Sequence, residues 1–232
     1  MTVVITIVLI NCSLYITSNL LIYFFKYDIG GAGWNANYVL FNTFGGGIQI
    51  ISMMLFYPLF RKFISAMQVF YVSFVMAIGG YAVLLALMFT NRTNIYILMI
   101  PGFFIFTAFG MLTVLTTVFL ANTVDYGELK NNRRDESVIF SMQTFVVKLA
   151  SGVAAMIASI CLTISNISND TSTEAAAMVS DSYTSVAVLR MTMTVLPIIG
   201  LLVAVFIFAK KYILTDEKLG EINQELAHRH KA

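Results

Sequence analysis

Charged residues are scarce in this chain of 232 residues. Lys, Arg, Asp and Glu together make up 11% of the sequence, whereas hydrophobic residues make up 59%. Soluble domains carry about 25% charged residues, so a soluble fold of this size could not bury so much apolar surface. The composition therefore predicts a protein that lies in a lipid bilayer. The net charge of +2 is too small to indicate a nucleic-acid partner.

Residues that form metal sites and catalytic sets are also few. Cys12 and Cys161 lie in separate apolar runs and make neither a CxxC pair nor a disulfide framework. His228 and His230, the two histidines, lie in the polar stretch near the C-terminus. No set of His, Cys and carboxylate side chains falls together near an apolar run, so the sequence predicts no metal, no cofactor and no hydrolytic enzyme.

The chain does have six apolar runs that are long enough to cross a bilayer. Runs of about 20 residues predict transmembrane helices, because lipid cannot satisfy free backbone groups. The runs cover residues 3–25, 38–60, 63–89, 95–120, 138–165 and 187–209. No Lys or Arg precedes the first run, which is therefore a spanning helix and not a signal peptide. We expect an all-α bundle of six transmembrane helices over residues 1–214 and a polar tail over 215–232. We also expect a further part of the protein to precede residue 1.

The basic residues are distributed unequally between the two sides of the predicted bundle. Ten fall on one side, namely Arg61, Lys62, Lys130, Arg133, Arg134, Lys210, Lys211, Lys218, Arg229 and Lys231. Three fall on the other side, namely Lys26, Arg92 and Arg190, and Lys148 within the fifth run completes the fourteen. This bias predicts that the ten-charge side is cytoplasmic. The protein is then a multi-pass protein of the cell membrane with both termini in the cytoplasm.

Lys148 is the most informative polar residue, because it lies about ten residues into the fifth run, near the middle of the membrane at about 1.5 Å per residue. Burying a lysine there costs about 2.5–3.5 kcal/mol on insertion scales. A watery cavity or an acidic partner would offset that cost; the alternative is stabilisation by helix carbonyls and a local water defect. Ser141, Thr144 and Ser151 share its helix face, with Gln143 beside it. Such a stripe suits sugar hydroxyls, although Ser and Thr also join membrane helices.

Shorter polar stripes occur in three other runs. They comprise Asn11, Tyr15 and Ser18 in the first run, Asn42 and Gln49 in the second, and Thr113, Thr116 and Thr117 in the fourth. The second run also contains the glycines 45–47. These lack the Lys-Ser/Thr ending of a phosphate loop and lie inside a span, so close helix packing is the better interpretation.

The connection between the fourth and fifth runs is dense in charge, and we expect it to be a cytoplasmic loop. Its charged residues are Asp125, Glu128, Lys130, Arg133, Arg134, Asp135 and Glu136. Alternating signs could form an ion-pair network that holds one conformation shut. The alternative is a solvated connector whose exposed pairs contribute about 0–1 kcal/mol each, and the sequence alone favours it.

This region resembles the glycoside–pentoside–hexuronide:cation symporters of the major facilitator superfamily. The resemblance is carried by Val124-Asp125-Tyr126-Gly127-Glu128-Leu129-Lys130, then Arg134, Glu136-Ser137 and Gln143-Thr144-Phe145-Val146-Val147-Lys148. Members have twelve helices in two six-helix bundles, and the chain matches helices seven to twelve. The resemblance thus implies the C-terminal half of a major facilitator fold, importing a sugar or glycoside with Na⁺, Li⁺ or H⁺ by alternating access.

The resemblance also implies roles for individual residues. Lys148 matches a lysine near the sugar and the cation, and Gln143, Thr144 and Val147 match positions that line the sugar cavity. Asp125, Glu128 and Arg134 match a network that closes the cytoplasmic gate. Two residues depart from the family pattern. Thr113 stands where one member of the family has a tryptophan against the sugar, and Asn122 stands where that member has an aspartate.

The resemblance also implies an N-terminal six-helix bundle that this chain lacks. The coupling cation would bind mostly to aspartates of the N-terminal bundle, which is then a partner of this chain together with the sugar and the bilayer. A non-transporting membrane receptor or scaffold is the alternative function. Lys148 and its polar stripe argue against that alternative.

Overall fold

A computed structural model describes residues 2–31, 33–90, 94–131, 136–165, 167, 183–212 and 216–229. These residues form helices joined by short connections, and six helices are long and apolar enough to span a membrane, as predicted. The helices are α1 (Thr2–Ile29), α2 (Trp34–Phe63), α3 (Ala66–Phe89), α4 (Ile95–Asn131), α5 (Glu136–Ile164), α6 (Tyr183–Lys211) and the short α7 (Asp216–Arg229). The chain is thus an all-α, multi-pass membrane bundle.

Two helices contain π-helical turns, which widen the backbone locally. The last turn of α1, Phe24–Ile29, is π-helical, and Gly30 and Gly31 then end the helix with φ angles of 61° and 80°. These values lie in the left-handed region that glycine adopts without strain. The second π-helical segment, Ser52–Phe56, lies in the middle of α2.

The break between α2 and α3 lies later in the chain than the apolar runs indicated. The second run ended at residue 60, but α2 continues to Phe63, so Arg61 and Lys62 lie in its last turn and not in a loop. The extended Ile64 then ends α2. Ser65 caps α3, because its Oγ accepts a hydrogen bond from Gln68 N and its N–H donates to Gln68 Oε1.

Helix α4 is much longer than its apolar run. It has 37 residues and at 1.5 Å per residue extends about 55 Å, well beyond the roughly 30 Å hydrocarbon layer. The predicted loop after residue 120 is therefore wrong up to Asn131, since Asp125 and Glu128 lie on helical turns. The fall in hydropathy after residue 120 marks where α4 leaves the lipid. The helix itself continues, because no proline or pair of glycines ends it there.

Helix α1 packs most extensively against α5 and α6. Helix α3 packs against α4 and α6, and α2 packs against α4. Helix α2 meets α1 mainly at the π-helical turn of α1, which leaves a space between these two helices. Helix α7 packs against α4 and buries Ile222.

Small residues bring two helix pairs close together. A Cβ on Gly110 of α4 would lie 2.7 Å from the backbone oxygen of Gln49 and 2.7 Å from Ser52 Cβ, both in α2. Ser52 Oγ donates to the carbonyl of Thr107 at 2.6 Å across this contact. Gly200 of α6 lies equally close to Ser13 of α1. These contacts follow the small-residue packing that joins transmembrane helices.

Candidate functional site

The polar stripe of α5 lies on the surface of the bundle. Ser141, Thr144, Lys148 and Ser151 are all exposed, and Lys148 is near the middle of the helix. The opposite side of α5 buries Val146, Ala150, Ala154 and Ala158, and α1 is its main neighbour. The packing of α5 on α1 therefore holds Lys148 outward, on a polar surface that has no covering helix among the described residues.

The other predicted substrate residues flank this surface. Gln143 and Val147 are half-buried on α5, and Thr113 is exposed near the middle of α4. Thr113 Oγ1 donates to the carbonyl of Phe109 at 2.8 Å, and Thr144 Oγ1 donates to the carbonyl of Phe140 at 3.2 Å. Each hydroxyl keeps its lone pairs for accepting further hydrogen bonds. The five predicted substrate residues thus lie on α4 and α5 and stay a prediction.

The predicted cytoplasmic gate lies at the far end of α4. Asp125 and Glu128 are half-buried on the extension of this helix beyond its apolar run. Arg134, the third predicted gate residue, lies outside the described residues. The ion-pair network around Asp125 and Arg134 therefore also stays a prediction.

A cavity of about 240 Å³ lies between α1, α2 and α4, and we call it the α1–α2–α4 cavity. Its polar lining consists of Tyr15, Thr17, Ser18, Asn42, Gln49 and Tyr81, and its aromatic lining of Phe24, Phe25, Phe41 and Phe106. The lining residues lie toward the C-terminal ends of α1 and α3 and the N-terminal ends of α2 and α4. The cavity thus lies nearer to the membrane side opposite to the Asp125 end of α4.

Four polar side chains in this cavity are available to a ligand. In the part of the chain that the structure describes, Tyr15, Ser18, Asn42 and Gln49 make no side-chain hydrogen bond. Their hydroxyls and amides both donate and accept hydrogen bonds. Ser18 and Asn42 are exposed, and Tyr15 and Gln49 are half-buried, so a molecule that enters the cavity can reach these groups. The cavity is therefore suited to hold a neutral polar molecule.

Glycines on α2 and α4 shape the cavity wall. A Cβ on Gly102 would lie 2.9 Å from the Phe41 ring, and a Cβ on Gly45 would overlap the Phe106 ring. The two glycines therefore let Phe41 and Phe106 lie against the helix backbones, with ring centroids 5.8 Å apart. Gly45 thus serves close helix packing, as the sequence indicated. Gly46 also lines the cavity, but a Cβ there would meet no atom within 4 Å.

A buried ion pair lies near the cavity and joins α1 to α6. Arg190 Nε donates to Asp28 Oδ2 at 2.7 Å and Arg190 Nη2 donates to Asp28 Oδ1 at 2.5 Å. The side chains are 10% and 4% exposed, and Arg190 Cζ lies 5.7 Å from the centre of the Phe89 ring. Because Asp28 lies on the π-helical turn that also carries Phe24 and Phe25, the pair fixes two aromatic residues of the cavity lining.

Sequence reasoning identified the stripe of α5 but gave no special weight to the cavity or the ion pair. The cavity is lined by members of the shorter stripes, Tyr15, Ser18, Asn42 and Gln49, and no described residue of α5 contributes to it. Arg190 was counted as a basic residue of one membrane side, although it lies within α6. The available signal was an acid shortly after one apolar run and a base near the start of another, on the same predicted side of the membrane.

Comparison with known proteins gives a family for this arrangement. The sequence profile of the family described as MFS/sugar transport protein matches residues 1–216. A lactose permease of Lactobacillus delbrueckii subsp. bulgaricus is 32% identical over 209 residues, which are 88% of this chain and 31% of that permease. A raffinose carrier protein of Pediococcus pentosaceus is 28% identical over 218 residues, which are 91% of this chain and 31% of the carrier.

A third relative is named as an uncharacterized symporter of Bacillus subtilis. It is 24% identical over 213 residues, which are 91% of this chain and 42% of that protein. The chain therefore spans between about a third and two fifths of the length of these relatives, all of which are named as permeases, carriers or symporters and none as an enzyme. Because the profile matches nearly the whole chain, and the match agrees with the resemblance to the glycoside–pentoside–hexuronide:cation symporters, this protein belongs to the MFS/sugar transport family.

Proposed function

We propose that this chain is the C-terminal six-helix bundle of a transporter that imports a sugar or glycoside together with a cation. The family match and the names of the relatives, a lactose permease, a raffinose carrier and a symporter, support a sugar substrate and cation coupling. In this proposal a second bundle covers the polar surface of α4 and α5. The two bundles rock about a substrate held near the middle of the membrane.

The position of Lys148 is the observation that carries the proposal. Its side chain is exposed near the middle of a helix of spanning length, on a stripe with Ser141, Thr144 and Ser151. A lysine facing lipid at that depth would be strongly unfavourable, so its natural neighbour is a hydrated cavity or a carboxylate of the second bundle. Gln143, Thr144, Val147 and Thr113 flank it and would contact the sugar. Lys148 would donate to the sugar and occupy the cation niche when Na⁺, Li⁺ or H⁺ is absent.

The extension of α4 would form the cytoplasmic gate. Asp125 and Glu128 lie on it beyond the apolar run, and Arg134 follows in sequence. Ion pairs among these residues would break and reform as the bundles rock.

The distribution of charge supports an orientation with both termini in the cytoplasm. Arg61 and Lys62 end α2, Lys130 lies near the end of α4, and Lys210 and Lys211 end α6, all on one side of the bundle. On the other side, Asp28 compensates the charge of Arg190. Lys and Arg concentrate on the first side, and basic residues favour the cytoplasmic side.

The test is ion-driven sugar accumulation by the complete transporter in proteoliposomes. We expect Lys148→Ala to abolish accumulation of lactose or raffinose, and Lys148→Arg to restore little of it, since a planar guanidinium cannot replace a compact ammonium. Leu149→Ala is the matched control, because Leu149 is the next residue on α5 and is 49% exposed outside the stripe. Equal accumulation by Lys148→Ala and the wild type, at matched expression, would refute the proposal.

A further inference from the structure

We propose that the basic ends of α2 and α6 together bind the headgroup of an anionic phospholipid. The site consists of Arg61 and Lys62 in the last turn of α2 and of Lys210 and Lys211 in the last turn of α6, and we call it the basic patch. The inference goes beyond the proposed function, because it concerns the contact of the bundle with lipid and holds whichever molecule the bundle transports.

Helix α3 brings the two basic pairs to the same end of the bundle. Only Ile64 and Ser65 separate the end of α2 from the start of α3, and Arg61 Nη1 donates to the carbonyl of Ile64 at 3.5 Å. The centre of the Phe70 ring of α3 lies 4.2 Å from that of the Phe208 ring of α6. Phe70 lies about one turn after the start of α3, and Phe208 lies within one turn of the end of α6. Both basic pairs therefore lie next to the first turn of α3.

The charge of the basic patch has no acidic partner among the described side chains. The structure gives none of its four residues an ion pair within that part of the chain, in contrast to Arg190, whose charge Asp28 compensates. The positive end of the α3 dipole, which starts after Ser65, adds to the local potential. Each Lys or Arg near an anionic membrane surface strengthens the attraction about fivefold. The basic patch is therefore complementary in charge to an anionic headgroup.

Exposed apolar side chains lie beside the basic patch. Phe63 of α2 is 76% exposed and Phe206 of α6 is 62% exposed. Lys210 Nζ lies 5.0 Å from the centre of the Phe206 ring, so its ammonium group is next to an apolar surface. A phospholipid presents the same two groups side by side, since its phosphate adjoins its acyl chains. A soluble phosphate would leave both phenyl rings without a partner.

The surface of α6 indicates that lipid, and not a second bundle, lies beside this helix. Every exposed residue of α6 between Met191 and Ala209 is apolar, whereas α5 presents the polar stripe that includes Lys148. An apolar helix surface within a spanning segment is suited to acyl chains. The anion at the end of such a surface is a lipid headgroup, which is held at the level where α6 ends.

A tryptophan at position 206 would report which lipid lies beside the basic patch. The chain has a single tryptophan, Trp34, so Trp34→Phe with Phe206→Trp leaves one fluorophore on the exposed surface of α6. The purified 232-residue chain would be reconstituted in mixtures of phosphatidylcholine and phosphatidylglycerol, with brominated acyl chains on one of the two. Bromine quenches tryptophan at short range, so comparison of the two mixtures gives the preference for the anionic lipid. Both leaflets have the same composition, so the result does not depend on orientation.

We expect phosphatidylglycerol to be preferred at position 206 by at least about fivefold, the effect of one basic residue at a membrane surface. Lys210→Gln with Lys211→Gln should lower this preference by about fivefold. Arg61→Gln with Lys62→Gln should also lower it, because the two pairs form one site. The four basic side chains are exposed, so their replacement should leave the packing of the bundle intact.

Two controls separate the basic patch from a general effect of charge. Met191→Trp, in the Trp34→Phe background, places the reporter on an exposed position at the opposite end of α6, where neither lipid should be preferred. Lys130→Gln removes a charge from the same membrane side, but Lys130 lies about 15 Å beyond residue 120 of α4 at 1.5 Å per residue. Its loss should leave the preference at position 206 unchanged.

Equal quenching by the two lipids at position 206 would overturn the inference and leave the four residues as a signal for orientation only. A preference that is unchanged by Arg61→Gln with Lys62→Gln would exclude α2 and overturn the single site. Loss of quenching by phosphatidylglycerol on addition of glycerol phosphate would show that the patch binds a soluble phosphate, which would also overturn the inference.

Discussion

Thr17 Oγ1 of α1 lies 3.1 Å from the carbonyl oxygen of Met193 in α6, and Pro197 lies one turn further along α6. Proline has no N–H, so the carbonyl four residues before it lacks its usual helical donor. Thr17 supplies a donor from the neighbouring helix, and Tyr81 Oη lies 2.8 Å from the same Thr17 oxygen. The hydrogen-bond chain from Tyr81 through Thr17 to Met193 thus joins α3, α1 and α6 in the wall of the α1–α2–α4 cavity.

Thr17→Val should destabilise the bundle, because valine keeps the shape of threonine but removes the donor to Met193. We expect a loss of about 0.6–1.7 kcal/mol in the free energy of unfolding, the range of polar contacts between membrane helices. Unfolding of the purified chain by SDS in mixed micelles would measure it, with Thr17→Ser as a control that retains the hydroxyl.

Pro197 provides a test of the cause. In a Pro197→Ala background the backbone N–H restored at this position can donate to the Met193 carbonyl within α6, so Thr17→Val should cost less there than in the wild type. Strictly additive effects in this double-mutant cycle would contradict the role assigned to the Thr17–Met193 bond.

The ion pair between Asp28 and Arg190 predicts a larger effect. Both side chains are nearly buried, and removing one partner of a buried pair typically costs about 3–5 kcal/mol. The two hydrogen bonds that Asp28 accepts from Arg190 are lost or weakened in Asp28→Asn, so we expect less folded protein for this variant, measured as the monodisperse fraction after detergent extraction. The single variant Arg190→Lys should also give less folded protein than the wild type, since a lysine cannot make both hydrogen bonds to Asp28.

Removing both charges distinguishes this explanation from loss of packing. The double variant Asp28→Leu with Arg190→Leu should be clearly more stable than either single variant, because no unpaired charge is left in the bundle. A double variant that is as unstable as Asp28→Asn would show that the pair acts through shape and not through charge.

The sequence alone predicted the six spanning helices because hydropathy reports contact with lipid directly. It did not predict where α4 ends, because its last turns, which carry Asp125 and Glu128, are polar and yet helical. Hydropathy gives the limits of the membrane layer, whereas capping residues and breaks decide the limits of a helix. The break between α2 and α3 shows the latter, since Ser65 and Gln68 form a capping box there.

The polar stripe of α5 could be predicted from the sequence because one helix carries it. Ser141, Thr144 and Lys148 repeat at helical spacing within α5, so their common face can be read from one segment. The α1–α2–α4 cavity joins Ser18, Asn42 and Gln49 from two helices, and Asp28 and Arg190 are 162 positions apart in the chain. Periodicity within a helix does not show which helix faces pack together. The packing of helix faces forms both the cavity and the ion pair, so neither could be predicted.

We expect any side chain at position 110 to disrupt the packing of α4 against α2. Its added methyl would lie 2.7 Å from the backbone oxygen of Gln49, and a backbone atom cannot move aside as a side chain can. Gly110→Ala should therefore lower the free energy of unfolding by about 1–3 kcal/mol, as overpacking does. Gly79→Ala on α3 is the control, since a Cβ there meets no atom within 4 Å. Equal stability of the two variants in SDS unfolding would contradict close packing of α2 and α4.

The orientation of the bundle predicts which surfaces a membrane-impermeant maleimide can reach in intact cells. Lys62 ends α2 and is exposed, and Asn94 precedes α4 and is exposed at the opposite ends of the helices. Because basic residues concentrate at the Lys62 side, that side should be cytoplasmic. With Cys12 and Cys161 replaced by alanine, we expect Asn94→Cys to be labelled in intact cells and Lys62→Cys only after permeabilisation.

The two labelling positions control for each other, since each should react where the other does not. Lys62→Cys also removes one positive charge from the cytoplasmic side, but Arg61, Lys210 and Lys211 remain there, so the orientation should be retained. If Lys62→Cys were labelled in intact cells and Asn94→Cys only after permeabilisation, the bundle would have the opposite orientation to the one predicted. The α1–α2–α4 cavity would then lie nearer to the cytoplasmic side and the Asp125 end of α4 on the outside, which would exclude Asp125 and Glu128 from an inner gate.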